Sequence, residues 1–139
     1  MIKPHGSEHL NSLLVDAAKK QQLLTEAESL PSLLLNSAAA ANAVMLGTGY
    51  FNPLTGYMNL ADALSVSQTL HTTDGLFWPV PVINLAKDVS AISGASRIAL
   101  RDPNTAGNPV MAIMDVAAIE EVSDEQIQSM AADIFGTLD

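Results

Sequence analysis

The sequence predicts an α+β fold with a mixed sheet flanked by helices, and three observations carry the prediction. Helix-period segments come first, strand-like runs gather in the second half, and one more helix-period segment closes the chain, with no strict βαβα alternation. The 139 residues suit one domain over 1–139, and a chain of that length can bury roughly 68–70% of its unfolded surface. Hydrophobic residues make up 48% and charged residues 15%, so there is ample material for a core.

From Ser7 to Leu30 the apolar residues Leu10, Leu13, Leu14, Ala17, Ala18, Leu24 and Ala27 recur at three- and four-residue spacing, which predicts an interrupted helix ending at Pro31. Ser32-Leu33-Leu34-Leu35 has the length of a buried strand. Ser37 is placed to cap a helix from Ala38 to Leu46, closed by Gly47 and Gly49. Tyr50 to Met58 concentrates large apolar side chains around Pro53 and Gly56 and reads as an ordered loop.

Helical spacing returns from Leu60 to Leu70, and Asp74-Gly75 signals a turn. Leu76 to Ile83 carries Pro79 and Pro81, each lacking a ladder donor, so an edge strand with those amide positions unpaired is expected. Arg97 to Arg101 and Pro109 to Met114 flank the turn-rich stretch Asp102 to Asn108 and predict a long-loop hairpin. Ser123 and Gln126 fit the S-x-x-Q capping box of a final helix with Ile127, Met130, Ala131 and Ile134 on one face. The expected core comprises Leu34, Phe51, Leu54, Trp78, Val80, Ile98, Leu100, Ile113 and Ile134.

A net charge of −9, with six dispersed cations, argues against nucleic acid and anionic membranes as partners. The absence of cysteine removes disulfides, thiolate nucleophiles and cysteine-ligated zinc. No stretch reaches the roughly 20 apolar residues of a membrane span, and the N-terminus has no apolar signal core, so a cytoplasmic protein is expected.

Motifs for chemistry are weak. His5-Gly6-Ser7-Glu8-His9 matches H-x-x-E-H, but Pro4 and Gly6 oppose the helix that a zinc site of that type needs. Gly47-Thr48-Gly49 opens a G-x-G-x-x-G whose third glycine is replaced by Asn52, and a helix end turning into a loop explains it better. Asp102, Asn104 and Gly107 suggest a calcium loop, yet Ala106 and Ile113 stand at ligand positions. Glu120-Glu121 reads as a solvated pair. No catalytic, cofactor-binding or metal-binding residue is assigned.

Several segments in order nonetheless resemble the N-terminal domain of ATP sulfurylase (sulfate adenylyltransferase). These are Lys3-Pro4-His5-Gly6, Glu26 to Ser32, Gly49 to Asn59, Asp74-Gly75 with Trp78 to Val82, Ile98 to Pro103, and Phe135-Gly136-Thr137 with Asp139. The Gly49–Asn59 match is the most specific. The resemblance implies a PUA-like fold, a mixed sheet in a partly closed barrel with flanking helices. It also implies a structural role beside a catalytic domain, in cis or in trans, in an enzyme making adenosine 5′-phosphosulfate and pyrophosphate from ATP and sulfate.

That family's Gln-x-Arg-Asn-Pro and His-x-x-His motifs are absent from this sequence, so the chain alone is expected to be inactive and Mg-ATP to belong to the other domain. Tyr50, Phe51, Asn52, Pro53, Leu54, Gly56, Tyr57 and Met58 form the candidate domain-interface loop, the alternative being a loop wholly internal to the core. A homo-oligomer is compatible with the resemblance. The alternative function is a free-standing PUA-like module for RNA or a small ligand; the acidic balance and lack of a basic stripe count against RNA, and the sequence offers no convergent polar cluster for a small ligand.

Overall fold

The computed structural model describes residues 2–137, so that Asp139, the last residue of the resemblance, lies outside the described residues. The element order is α1 (Ala17–Ala27), β1 (Ser32–Leu34), α2 (Ser37–Thr48), α3 (Leu60–Thr69), a short 3-10 turn at Ser90–Ile92, β2 (Arg97–Arg101), β3 (Val110–Asp115) and α4 (Asp124–Phe135). The chain falls into two compact units, one of residues 1–56 and 84–117, the other of residues 57–83 and 118–139.

In the first unit the sheet order is β1-β2-β3, with β1 parallel to β2 and β2 antiparallel to β3. Leu100 pairs with Leu33 on one side and Ala112 on the other, and a register shift falls between Leu100 and Arg101. As the central strand, β2 buries Ile98, Ala99 and Leu100 in succession, the pattern of a strand covered on both faces. Leu33, Leu35, Ala39, Ala40, Leu46 and Ile92 are also buried in this unit.

The helix termini follow local chemistry. Asp16 accepts from the Lys19 amide at 2.8 Å and Asn36 from the Ala39 amide at 2.8 Å, each carboxylate or amide oxygen satisfying one otherwise unpaired N–H. Asn36 thus caps α2, and Ser37, the expected cap, is the first helical residue and instead donates to Asn104 Oδ1. Gly49 closes the helix with φ 83°, a left-handed conformation that glycine adopts without penalty.

In the second unit α3 packs against α4, and Ala63, Val66, Trp78, Val82 and Met130 are buried. Ser123 and Gln126 form the full capping box expected of them. Leu60 N donates to Glu120 Oε2 at 2.9 Å, which gives one member of the Glu120-Glu121 pair a helix-end partner. No helix among the described residues is long and apolar enough to cross a membrane.

Four expectations need correction. The Ser7–Leu30 helix is confined to Ala17–Ala27, and residues 10–16 are irregular. Leu34 is exposed because β1 is an edge strand whose side chains alternate, Leu33 and Leu35 pointing inward. Residues 78–83 form no strand, and only an isolated bridge between His71 and Phe77 precedes them. Two prolines in three residues leave too few donors for a ladder, and Val80, between them, is exposed. Consistent with that missing strand, the described sheet is open, with β1 and β3 as its edges, where a partly closed barrel was expected. Of the expected core, Trp78, Ile98 and Leu100 are buried, while Phe51, Leu54, Ile113 and Ile134 are half-buried.

Candidate functional site

The Tyr50–Met58 loop begins where α2 runs out. Gly49 N donates to Leu46 O at 3.2 Å, Phe51 N to Met45 O at 3.2 Å and Asn52 N to Gly49 O at 3.1 Å, so the chain folds back tightly on the last turn of the helix. The Asn52-Pro53 peptide is cis, and Leu54 N donates to Phe51 O at 2.8 Å. Phe51, Pro53, Leu54 and Gly56 are half-buried. Tyr50 alone of the loop's large residues stands in solvent, at 77% exposure.

Asn52 is the organising residue. It is buried, and its carboxamide makes three bonds to a segment more than forty positions away. Its Oδ1 accepts from Asn11 N at 3.0 Å, and its Nδ2 donates to His5 O at 3.2 Å and to Ser7 Oγ at 2.7 Å. A buried primary amide has two donors and one carbonyl to satisfy, and the N-terminal arm satisfies all of them. The arm is fixed a second time by Leu13 N donating to Gly47 O at 2.8 Å. A Cβ at Gly49 would stand 2.7 Å from Asn11 O, so this glycine is required by close approach as well as by its φ.

Between arm and loop lies an open concavity of about 480 Å³ lined by Pro4, His5, Leu10, Thr48, Gly49, Tyr50 and Asn52. The Asn52 carboxamide and the His5 carbonyl are committed to holding the arm, Thr48 Oγ1 donates to Val44 O at 2.8 Å, and Pro4, Leu10 and Tyr50 supply apolar surface.

The rest of the loop is in the second unit. Met58 N donates to Val82 O at 2.7 Å, and Val82 N approaches Met58 Sδ at 3.5 Å. Tyr57 is half-buried, and the loss of water around its phenol pushes its pKa up to about 12.

The remaining candidates for chemistry sort plainly. His5 and His9 lie in a non-helical segment in which Glu8 pairs with Lys3 at 2.7 Å, and no metal-holding cluster occurs among the described residues. Asp102 Oδ1 accepts from Asn104 N and Oδ2 from Thr105 Oγ1; these bonds brace the hairpin loop and hold the Asp102 carboxyl below its ordinary range.

The two arginines nearest the sheet are engaged. Arg97 pairs with Asp115 and with Glu26, whose hydrogen bonds raise its pKa. Arg101 donates to Ser32 Oγ at 3.0 Å and Asn108 O at 3.1 Å.

Comparison with known proteins places the chain in a family. The sequence matches the PUA-like domain family over residues 2–139. The chain belongs to that family. It is 59% identical over 140 residues to the sulfate adenylyltransferase of Alcanivorax borkumensis, the match covering all of this chain and 35% of the relative. To the sulfate adenylyltransferase of Allochromatium vinosum it is 56% identical, again over its full length and 35% of the relative.

The chain thus spans about a third of the length of these relatives, their N-terminal third. Among solved structures it is similar to the hexameric APS kinase from Thiobacillus denitrificans, with a TM-score of 0.70 and 33% identity over 89% of this chain and 24% of that one.

Sequence reasoning located the loop but missed what it holds. The leucines of the arm read as one face of a helix, and nothing in a single sequence marks Asn52 as the partner of Asn11, Ser7 and His5. The one available signal is local. Gly6, Asn11 and Ser12 are poor helix formers set among the leucines.

Proposed function

We propose that this chain is the non-catalytic N-terminal domain of a cytoplasmic sulfate adenylyltransferase. It packs beside a catalytic domain that binds Mg-ATP and sulfate, and the joined protein forms adenosine 5′-phosphosulfate and pyrophosphate for sulfate activation. The observation that carries the reading is the end-to-end match at 59% identity to a third of a curated sulfate adenylyltransferase.

The disposition of the cations supports it. Charge developing in phosphoryl or sulfuryl transfer needs preorganised donors or a metal, and here Arg97 and Arg101 already serve the sheet. With a net charge of −9, the surface also repels a nucleotide polyanion.

The test is pyrophosphate release from ATP, magnesium and sulfate. The purified chain should show none above background. The same chain joined genetically to the remainder of the Alcanivorax borkumensis enzyme should turn over. Activity of the chain alone that disappears on replacing Arg97 or Arg101 would overturn the reading.

A further inference from the structure

The first unit carries an apolar face that its own fold leaves uncovered. Leu10 is 64% exposed, Leu14 68% and Tyr50 77%, with Leu13, Val15 and Val44 also exposed. Leu10, Leu13 and Leu14 lie against the C-terminal end of α2, from which Tyr50 follows. A Cβ at Gly49 would lie 3.5 Å from Leu10 Cδ1, a Cβ at Gly47 would lie 4.0 Å from Leu14 Cδ2, and Leu13 N is bonded to Gly47 O. The concavity of about 480 Å³ opens between Leu10 and Tyr50.

An exposed apolar patch can be tolerated when its residues are scattered. A contiguous one centred on a depression marks an interaction surface. This one is also preorganised. Asn52 and the Gly47 carbonyl hold the arm in place with polar bonds, while its leucines bury little against their own unit. Fixing the arm's backbone before association removes part of the ordering cost of binding.

Two observations choose the occupant. The curated relatives continue this same sequence with about twice its length again, since the match covers 35% of them. A second copy, by contrast, would bring together two chains that each carry a net charge of −9. Resting on the function proposed above, we infer that the face of Leu10, Leu14 and Tyr50 is where the catalytic portion of sulfate adenylyltransferase seats, with an apolar side chain of that portion entering the concavity. The Asn52-held arm is then a positioning element for the interface, and Tyr50 is the part of the 50–58 loop that makes the contact.

The chain contains no cysteine, which allows a direct measurement. Leu14→Cys and Tyr50→Cys are made singly, with Ala106→Cys at the exposed hairpin loop as the control. Maleimide labelling of each site is followed by peptide mass spectrometry, in the chain alone and in the fusion to the remainder of the Alcanivorax borkumensis enzyme. Labelling at positions 14 and 50 should slow by about tenfold or more in the fusion, with position 106 unchanged.

An active fusion whose positions 14 and 50 label as fast as in the chain alone would overturn the interface and leave the proposed function standing. A fusion with no adenylyltransferase activity would count against the function itself. Protection in the chain alone that grows with its concentration would assign the face to a second copy, and equal slowing at position 106 would show an effect not confined to the face; either overturns the proposal. All three positions are exposed, so the substitutions should leave the thermal midpoint of the chain alone unchanged, which checks folding.

Discussion

The N-terminal arm, residues 5–15, and strand β2 are both ordered parts of the same unit, and they are ordered by opposite means. In β2 three consecutive apolar residues vanish from solvent and ladders run on both sides. In the arm the leucines remain outside, and the fixing comes from backbone groups bonded to a single buried carboxamide and one helix-end carbonyl. The comparison teaches that apolar content does not locate the core: both segments are leucine-bearing, and only the one whose backbone is paired in the middle of a sheet contributes to it.

Breaking β2 should therefore cost most. Leu100→Ala removes a buried side chain at the sheet centre and should lower unfolding free energy by about 2–5 kcal/mol in denaturant titration; a loss comparable to that of a surface change would take Leu100 out of the core. Asn52→Ala removes the acceptor that Asn11 N uses and the donor to the His5 carbonyl, and should cost about 1–3 kcal/mol. Its signature is local, with faster hydrogen exchange at Asn11 and Leu13 and no change at Ile98. Uniform acceleration across the unit would mean that the arm belongs to the cooperative core after all.

Gly49→Ala should cost about 1–2 kcal/mol for its left-handed backbone alone, and the new methyl group should displace the arm at Asn11. Early proteolytic cleavage within residues 5–15 would report it, and protection equal to the parent would contradict the close approach. Leu14→Ser should change the stability of the chain alone by less than about 0.5 kcal/mol, as for an ordinary surface substitution. A larger loss would show Leu14 packed inward.

Much of the fold was legible because its signals are local. The capping box at Ser123, the turn at Asp74-Gly75, the third helix and the hairpin flanking Asp102–Asn108 each depend on residues within a few positions of one another. What escaped depends on partners far along the chain. Leu33-Leu34-Leu35 is apolar throughout, so only the pairing of β1 with β2 decides that Leu34 faces out.

Pro79 and Pro81 forbid donors but do not say whether a neighbour strand exists. The spacing of Leu10, Leu13 and Leu14 is helical, yet the amides of Asn11 and Leu13 are claimed by Asn52 and Gly47. The candidate loop was legible as a distinctive stretch, and the arm that its Asn52 holds was not.

The parallel pairing of β1 with β2 also sets an order of events during synthesis. Ser32 is paired with Ala99, so β1 leaves the ribosome long before its partner. At roughly 5–20 residues per second the delay is several seconds, whereas hairpins such as β2–β3 close in about 1–10 μs once both strands are present. During that wait Leu33 and Leu35 have no strand to cover them, and only helices, α1 before β1 and α2 and α3 after it, are already made. The nascent chain is therefore most prone to aggregate while the stretch between the two strands is being translated, and a pause before Arg97 would lengthen that exposure.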